Sequence, residues 1–252
     1  MTHDGDLAYA WARLSARMGE RPDEVAWRRI EPIRELPALL DAAPGPAFRR
    51  WLRGITSDAG PHAIEAVLLA HWRALGREVA SWMPAAWQPA LEWAVLVTDL
   101  PVLQHLARGG EALPWMREDP VYREFLESPR EATAFGHQAP LAVAWSDPDR
   151  IFGAWREEWS RRVPWRARVD TTLLAQLVRA LGVRRIFLAQ ASLADGTAPR
   201  RVLAESLTMQ FRRATLNPAA AFIFLALYAL DLERMRGELL RRAIFPGFEL
   251  AA

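Results

Sequence analysis

The sequence predicts an all-α protein, a multi-helix array with no sheet. Three observations predict it: helix starts marked by a capping residue before proline, apolar residues at helical spacing, and almost no strict alternation over a strand's length. The starts are Asp119-Pro120, Asp147-Pro148 and Asn217-Pro218. In each, the side-chain oxygen can accept a backbone N–H of the first turn, where proline's fixed φ fits and its missing N–H costs nothing. Ile151, Phe152, Trp155 and Trp159 form one helical stripe, and Leu173, Leu174, Leu177, Val178 and Leu181 form another. The one strand-like run, 183–188, is broken by Arg184-Arg185 and suits a short helix equally well.

Taken in order, the chain reads as a first helix over 4–19 and short helices within 22–52. A long helical hairpin over 61–108 follows, which Pro84, Pro89 and Pro101 kink or divide. Gly109 to Pro114 is a break, with Gly109-Gly110 read as a C-terminal helix stop. Medium helices occupy 119–193, a turn falls at Ala194-Asp195-Gly196, and a helix over 199–214 leads to a terminal helix over about 218–244. If the chain has two lobes, they are 1–110 and 111–252, since no linker or low-complexity tract divides it elsewhere. The longest uncharged apolar run, 218–230, is thirteen residues. A membrane-spanning helix needs about twenty, so a buried core helix is expected there. The polar, acidic opening lacks the positive start and apolar core of a secretory signal.

At 252 residues, 51% hydrophobic and 25% charged, the chain is long and apolar enough to bury a sizeable core. It contains no cysteine, which removes disulfides, thiolate metal sites and cysteine nucleophiles and fits a reducing compartment. All 32 basic residues are arginine, a bias that a GC-rich genome explains and that excludes phosphate-loop and Schiff-base lysines. The five histidines, His3, His62, His71, His105 and His137, make no His-Glu-x-x-His zinc pattern, and His62-x-x-Glu65 has no second copy. There is no Gly-x-Ser-x-Gly elbow and no glycine-rich loop between strand and helix. Glu157-Glu158 and Asp147/Asp149 are read as salt-bridging and capping acids, and the 12 tryptophans as gap-fillers scattered over several helices. No catalytic residue, cofactor or metal site is expected.

Charge is unevenly spread. Residues 150–215 carry 13 arginines against 5 acids, whereas residues 1–149 carry 15 against 21. The block containing Arg161, Arg162, Arg166, Arg168, Arg184 and Arg185 therefore either pairs with the acidic half or docks an acidic partner or anionic headgroups. Nucleic acid is not the expected partner, because the overall charge is only +2 and there is no tandem stacking motif.

One pattern rises above composition. An apolar approach from Trp93 leads to Asp99-Leu100, then Leu103, and closes on Arg108-Gly109. Near the end, an apolar approach from Leu225 leads to Asp231-Leu232, then Met235, and closes on Arg241. Asp99, Leu100, Arg108, Asp231 and Leu232 define a degenerate internal repeat. Together with Tyr9, Arg13 and Arg17 in the first helix and the leucines of Leu36-Pro-Ala-Leu39-Leu40, this layout resembles the C-subunit family of bacterial and archaeal V-type ATPases, whose eukaryotic counterpart is the d-subunit. The chain looks like a divergent, shortened member. Val102 and Arg234 stand where the family carries asparagine, and the middle copy of the helical unit is unrecognisable, with 170–177 its candidate remnant.

The resemblance implies a funnel-shaped array of helical repeats on the cytoplasmic face of the proteolipid ring. The rotor stalk would insert into that socket, with indirect membrane contact and no chemistry of its own. The alternative is a helical adaptor or regulatory protein using the basic face on an acidic soluble partner. A third class is an all-α enzyme or ligand carrier with its site in an aromatic cavity.

Overall fold

The computed structural model describes residues 3–42, 45–127, 139–143, 145–165, 172–179 and 197–245. All regular structure among them is helical, as the sequence predicts. The first helix, α1, is His3–Met18; α2 is Glu24–Ile30, α3 Leu36–Ala42 and α4 Pro46–Leu52. The Asp23 carboxylate caps α2, accepting the Ala26 N–H at 2.7 Å.

The expected hairpin is divided, and its prolines mark the divisions. Helix α5, Pro61–Trp82, ends before Pro84, which precedes a 3₁₀ turn over Ala85–Trp87. Helix α6, Gln88–Val95, carries Pro89 in its first turn, and α7, Leu100–Ala107, carries Pro101 in its own. A second 3₁₀ turn, Leu96–Thr98, joins them. Helix α7 stops in a Schellman arrangement: Gly109 has φ +80°, its N–H bonds Leu106 O at 2.9 Å, and the Gly110 N–H bonds His105 O at 3.0 Å. That is the stop read from the glycine pair.

Beyond the break come α8, Pro114–Glu118, and α9, Pro120–Glu127, followed by α10, Ile151–Arg162. Residues 172–179 form α11, then α12 is Thr197–Arg213 and α13 is Ala219–Ile244. The expected turn at 194–196 and the run 183–188 lie outside the described residues. Two of the three capping prolines behave as expected: Asp119 Oδ1 accepts the Val121 N–H at 2.9 Å, and Asn217 Oδ1 accepts the Ala219 N–H at 2.8 Å. Asp147 does not cap with its side chain. The chain there enters α10 through a 3₁₀ turn, Pro148–Arg150, closed by the Arg150 N–H on the Asp147 carbonyl at 3.1 Å.

Helix α13 is the axis of the packing. At 26 residues it is about 39 Å long. Its first half is buried from Ala219 through Leu225 and again at Leu227, Tyr228 and Leu230, with Ala226 and Ala229 half-buried, which is why the apolar run 218–230 reads as core. It packs on α12, α5, α1, α6 and α3. Among the described residues no helix is long and apolar enough to cross a membrane. One buried cluster runs from Ala10 to Leu239, and the break at 109–114 does not interrupt it.

Tryptophans join the helices by directed bonds as well as by volume. The Trp93 indole donates to Trp155 O at 2.8 Å, and the Trp155 indole donates to Trp93 O at 3.0 Å, a two-way clasp between α6 and α10. Trp72 of α5 donates to Val95 O at 2.9 Å. Helices α5 and α6 approach so closely there that a Cβ on Gly76 would run into the Val95 side chain.

Candidate functional site

Both aspartates of the repeated phrase are buried, and each is closed by an arginine from elsewhere in the chain. Asp231 lies on α13, where an isolated carboxylate among apolar neighbours would be costly. Arg21, just beyond α1, meets it with two hydrogen bonds, Nε to Oδ2 at 2.7 Å and Nη2 to Oδ1 at 2.9 Å. The Arg21 side chain is 12% exposed and that of Asp231 7%. The guanidinium also lies 5.8 Å from the centre of the Tyr228 ring. Burial pushes the Asp231 carboxyl up from its ordinary range, while Arg21 pulls it back.

Asp99 is fully buried at the junction before α7. Arg73 of α5 donates to its Oδ1 at 2.7 Å, and the Tyr122 hydroxyl donates to the same oxygen. Arg73 also bonds Asp119 Oδ2 at 2.6 Å and lies 5.3 Å from the centre of the Tyr122 ring. Asp119 thus caps α9 with one oxygen and anchors Arg73 with the other. Asp99 Oδ2 has no hydrogen-bond partner among the described residues. Burial raises the Asp99 carboxyl against the pull of Arg73 and the Tyr122 hydroxyl, and it raises the Tyr122 phenol as well.

The local backbone differs between the two phrases. Asp99 sits between a 3₁₀ turn and α7, whereas Asp231 lies within the unbroken α13. Leu100 and Leu232 are both buried in the core. Arg108 ends α7 and pairs with Asp149 at 2.6 Å on the exposed surface.

The N-terminal segment is strapped along α13 by further contacts. Arg242, 2% exposed, donates to Ile30 O and Ile33 O, each at 2.8 Å, and so satisfies carbonyls at the end of α2. Arg234 pairs with Glu24 at 2.9 Å and lies 4.6 Å from the centre of the Trp27 ring. The Tyr228 hydroxyl donates to Arg17 O at 2.8 Å.

Of the predicted basic face, Arg161 and Arg162 are described, while Arg166, Arg168, Arg184 and Arg185 lie outside the described residues. Arg161 is largely exposed and pairs with Glu158 at 2.9 Å. Arg162 pairs with the same carboxylate at 2.8 Å and covers the Trp93 ring at 4.3 Å. Glu158 thus bridges as expected, and Arg162 is held to the body of the protein. Among the described residues no cluster of three or more histidine and acidic side chains could hold a metal ion. Glu65, from the His62-x-x-Glu65 pair, forms an ion pair with Arg236 of α13 at 2.9 Å, and burial raises its carboxyl.

The tryptophans are less scattered than their sequence positions indicate. Trp72, Trp155 and Trp159 converge on one cavity of about 310 Å³ between α5, α6, α7, α10, α11 and α13. Phe152 and Phe222 complete its aromatic lining, Ala226 and Ala229 of α13 add small side chains, and Gln104, Glu233 and Arg236 add polar groups to the lining. These residues come from helices far apart in the chain, so no window of sequence contains them together. No protein-family model, curated protein or solved structure significantly matches the chain.

Proposed function

We propose that the chain is a non-catalytic helical adaptor, a divergent and shortened relative of the V-type ATPase C-subunit family. In this reading it links the central rotor stalk to the membrane proteolipid ring, so that ATP turnover and ion transport share one mechanical path. The observation that carries the proposal is the common environment of Asp99 and Asp231. Each is buried, each is paired with one arginine from outside its own phrase, Arg21 for Asp231 and, shared with Asp119, Arg73 for Asp99, and each of those arginines lies near a tyrosine ring. Two copies of one helical unit would need the same compensation at the same position, since an unpaired buried carboxylate is costly.

A torque-bearing part must also be stiff. Interlocked tryptophans and buried ion pairs favour stiffness, because close-packed interiors compress little. Arg161 supplies exposed positive charge for a partner, and the remaining arginines of its block extend the same charge in sequence.

Co-purification from native membranes tests the reading. Recovery with rotor-stalk and proteolipid-ring subunits is the expected result. Recovery solely as a free chain, or with an acidic soluble partner in their place, would overturn it. Reversal of Arg161, Arg166, Arg168, Arg184 and Arg185 to glutamate is expected to abolish that co-purification, and an unchanged recovery with unchanged salt sensitivity would rule out the basic block as the contact.

A further inference from the structure

The aromatic cavity has no part in the adaptor reading, yet it has the makings of a ligand site. At about 310 Å³ it stands at the small end of ligand pockets, which begin near ~300 Å³. Trp72, Phe152, Trp155, Trp159 and Phe222 supply its aromatic lining, with the small side chains Ala226 and Ala229 of α13 beside them. Trp159 supplies the second observation. The residue is 4% exposed, and its indole N–H is buried with no hydrogen-bond partner among the described residues. The neighbouring indoles of Trp72 and Trp155 both reach carbonyl oxygens. A buried donor without an acceptor is a group that a ligand can satisfy.

We infer that this cavity binds a compact, uncharged aromatic molecule carrying one hydrogen-bond acceptor, which Trp159 Nε1 engages. Size follows from volume: an apolar cavity of about 150 Å³ takes a benzene ring, so roughly twice that volume takes two fused rings, or about a dozen non-hydrogen atoms. Aromatic side chains present both faces and edges, Trp159 and Phe222 standing at 87° to each other, and such a lining suits an aromatic ring by stacked or edge-to-face contact. A neutral ligand suits the lining, because Arg236 is already paired with Glu65 at 2.9 Å. A carboxylate ligand would also have to enter beside Glu233, which shares the lining with Arg236.

Quinoline and naphthalene form an isosteric pair of probes, with and without a ring-nitrogen acceptor. Isothermal titration of the full chain, at a pH where quinoline is neutral, is expected to show saturable one-to-one binding of both. Trp159→Phe keeps an aromatic wall and removes the N–H. It is expected to weaken quinoline about fivefold, the worth of one neutral hydrogen bond, and to leave naphthalene within about twofold. Ala226→Trp fills the cavity and is expected to abolish both, with circular dichroism confirming that each variant remains helical.

The inference fails if neither probe saturates, if Ala226→Trp leaves binding intact, or if Trp159→Phe weakens both probes equally. It fails too if the chain takes up no probe and instead self-associates in sedimentation through a contact that Ala226→Trp removes, because the occupant is then a second copy. The measurement uses the isolated chain, so its outcome is independent of membrane co-purification.

Discussion

Replacing Asp231 with alanine leaves Arg21 facing α13 with its counter-ion gone. The size of the effect follows from the geometry. The pair is held by two hydrogen bonds of 2.7 and 2.9 Å with side chains only 12% and 7% exposed, so water screens it poorly. Two unit charges about 4 Å apart at an effective dielectric near 20 attract by about 4 kcal/mol. Removing one member of such a buried pair costs about 3–5 kcal/mol, and the residual exposure of Arg21 places the loss near the lower figure. With a urea m-value on the order of 3 kcal/mol/M, a loss of about 3 kcal/mol lowers the midpoint by about 1 M.

Urea titration followed by circular dichroism and by tryptophan fluorescence measures this, and the two probes are expected to coincide. The double variant Arg21→Met with Asp231→Leu removes both charges and keeps apolar volume, and it is expected to recover most or all of the loss. A loss below about 1 kcal/mol for Asp231→Ala would mean the pair behaves as an exposed one. A double variant as damaged as the single would mean that packing, and not charge pairing, sets the cost. Either result refutes the reasoning.

Asp99→Asn tests the raised carboxyl. A group whose folded pKa lies above its unfolded value, here 3.8, stabilises fully below that value and loses its contribution as pH rises through the folded pKa. Wild type is therefore expected to lose stability relative to Asp99→Asn as pH rises from about 3.8, as read by denaturant midpoints at successive pH values. A difference that grows in the opposite direction would show that Arg73 and Tyr122 outweigh burial. Gly76→Ala tests the close approach of α5 and α6. Overpacking against Val95 costs about 1–3 kcal/mol and outweighs the roughly 1 kcal/mol that alanine gains in a helix. In a Val95→Ala background the same substitution is expected to become stabilising, and an unchanged sign in thermal melts would rule out the contact as the cause.

Much of the helical order was legible because helix ends are written locally. Pro61, Pro89, Pro101 and Pro120 each occupy the first turn of a helix, and Gly109 ends α7 with the positive φ that glycine tolerates. The apolar run in α13 likewise announces its burial by composition alone. Asp147 misleads because a backbone 3₁₀ bond takes the place of the side-chain cap.

Pairing is another matter. Asp99 and Asp231 stand out as acids in apolar segments, yet nothing near them names Arg73 or Arg21 as partners. The second of those partners lies 210 residues away. Arg242 looks like an ordinary basic residue closing a helix, and its role at the end of α2 depends on packing between distant segments. The tryptophans illustrate the same limit, because helical spacing sets which face each occupies but not which faces meet.

The strapping of the first helices to α13 sets an order of events during synthesis. Arg21, Glu24 and the carbonyls of Ile30 and Ile33 find partners about 210 residues later in the chain. At translation rates of about 5–20 residues per second, α1 and α2 wait roughly 10–40 s for the helix that covers them. Over that interval α1, which packs on both α5 and α13, has only the α5 side of its cover, and Ala10 and Leu14, buried in the finished protein, belong to that helix. The emerging chain therefore presents the kind of apolar surface that chaperones capture. A ribosome stalled before α13 is expected to hold such a factor and to release it when the last helix emerges.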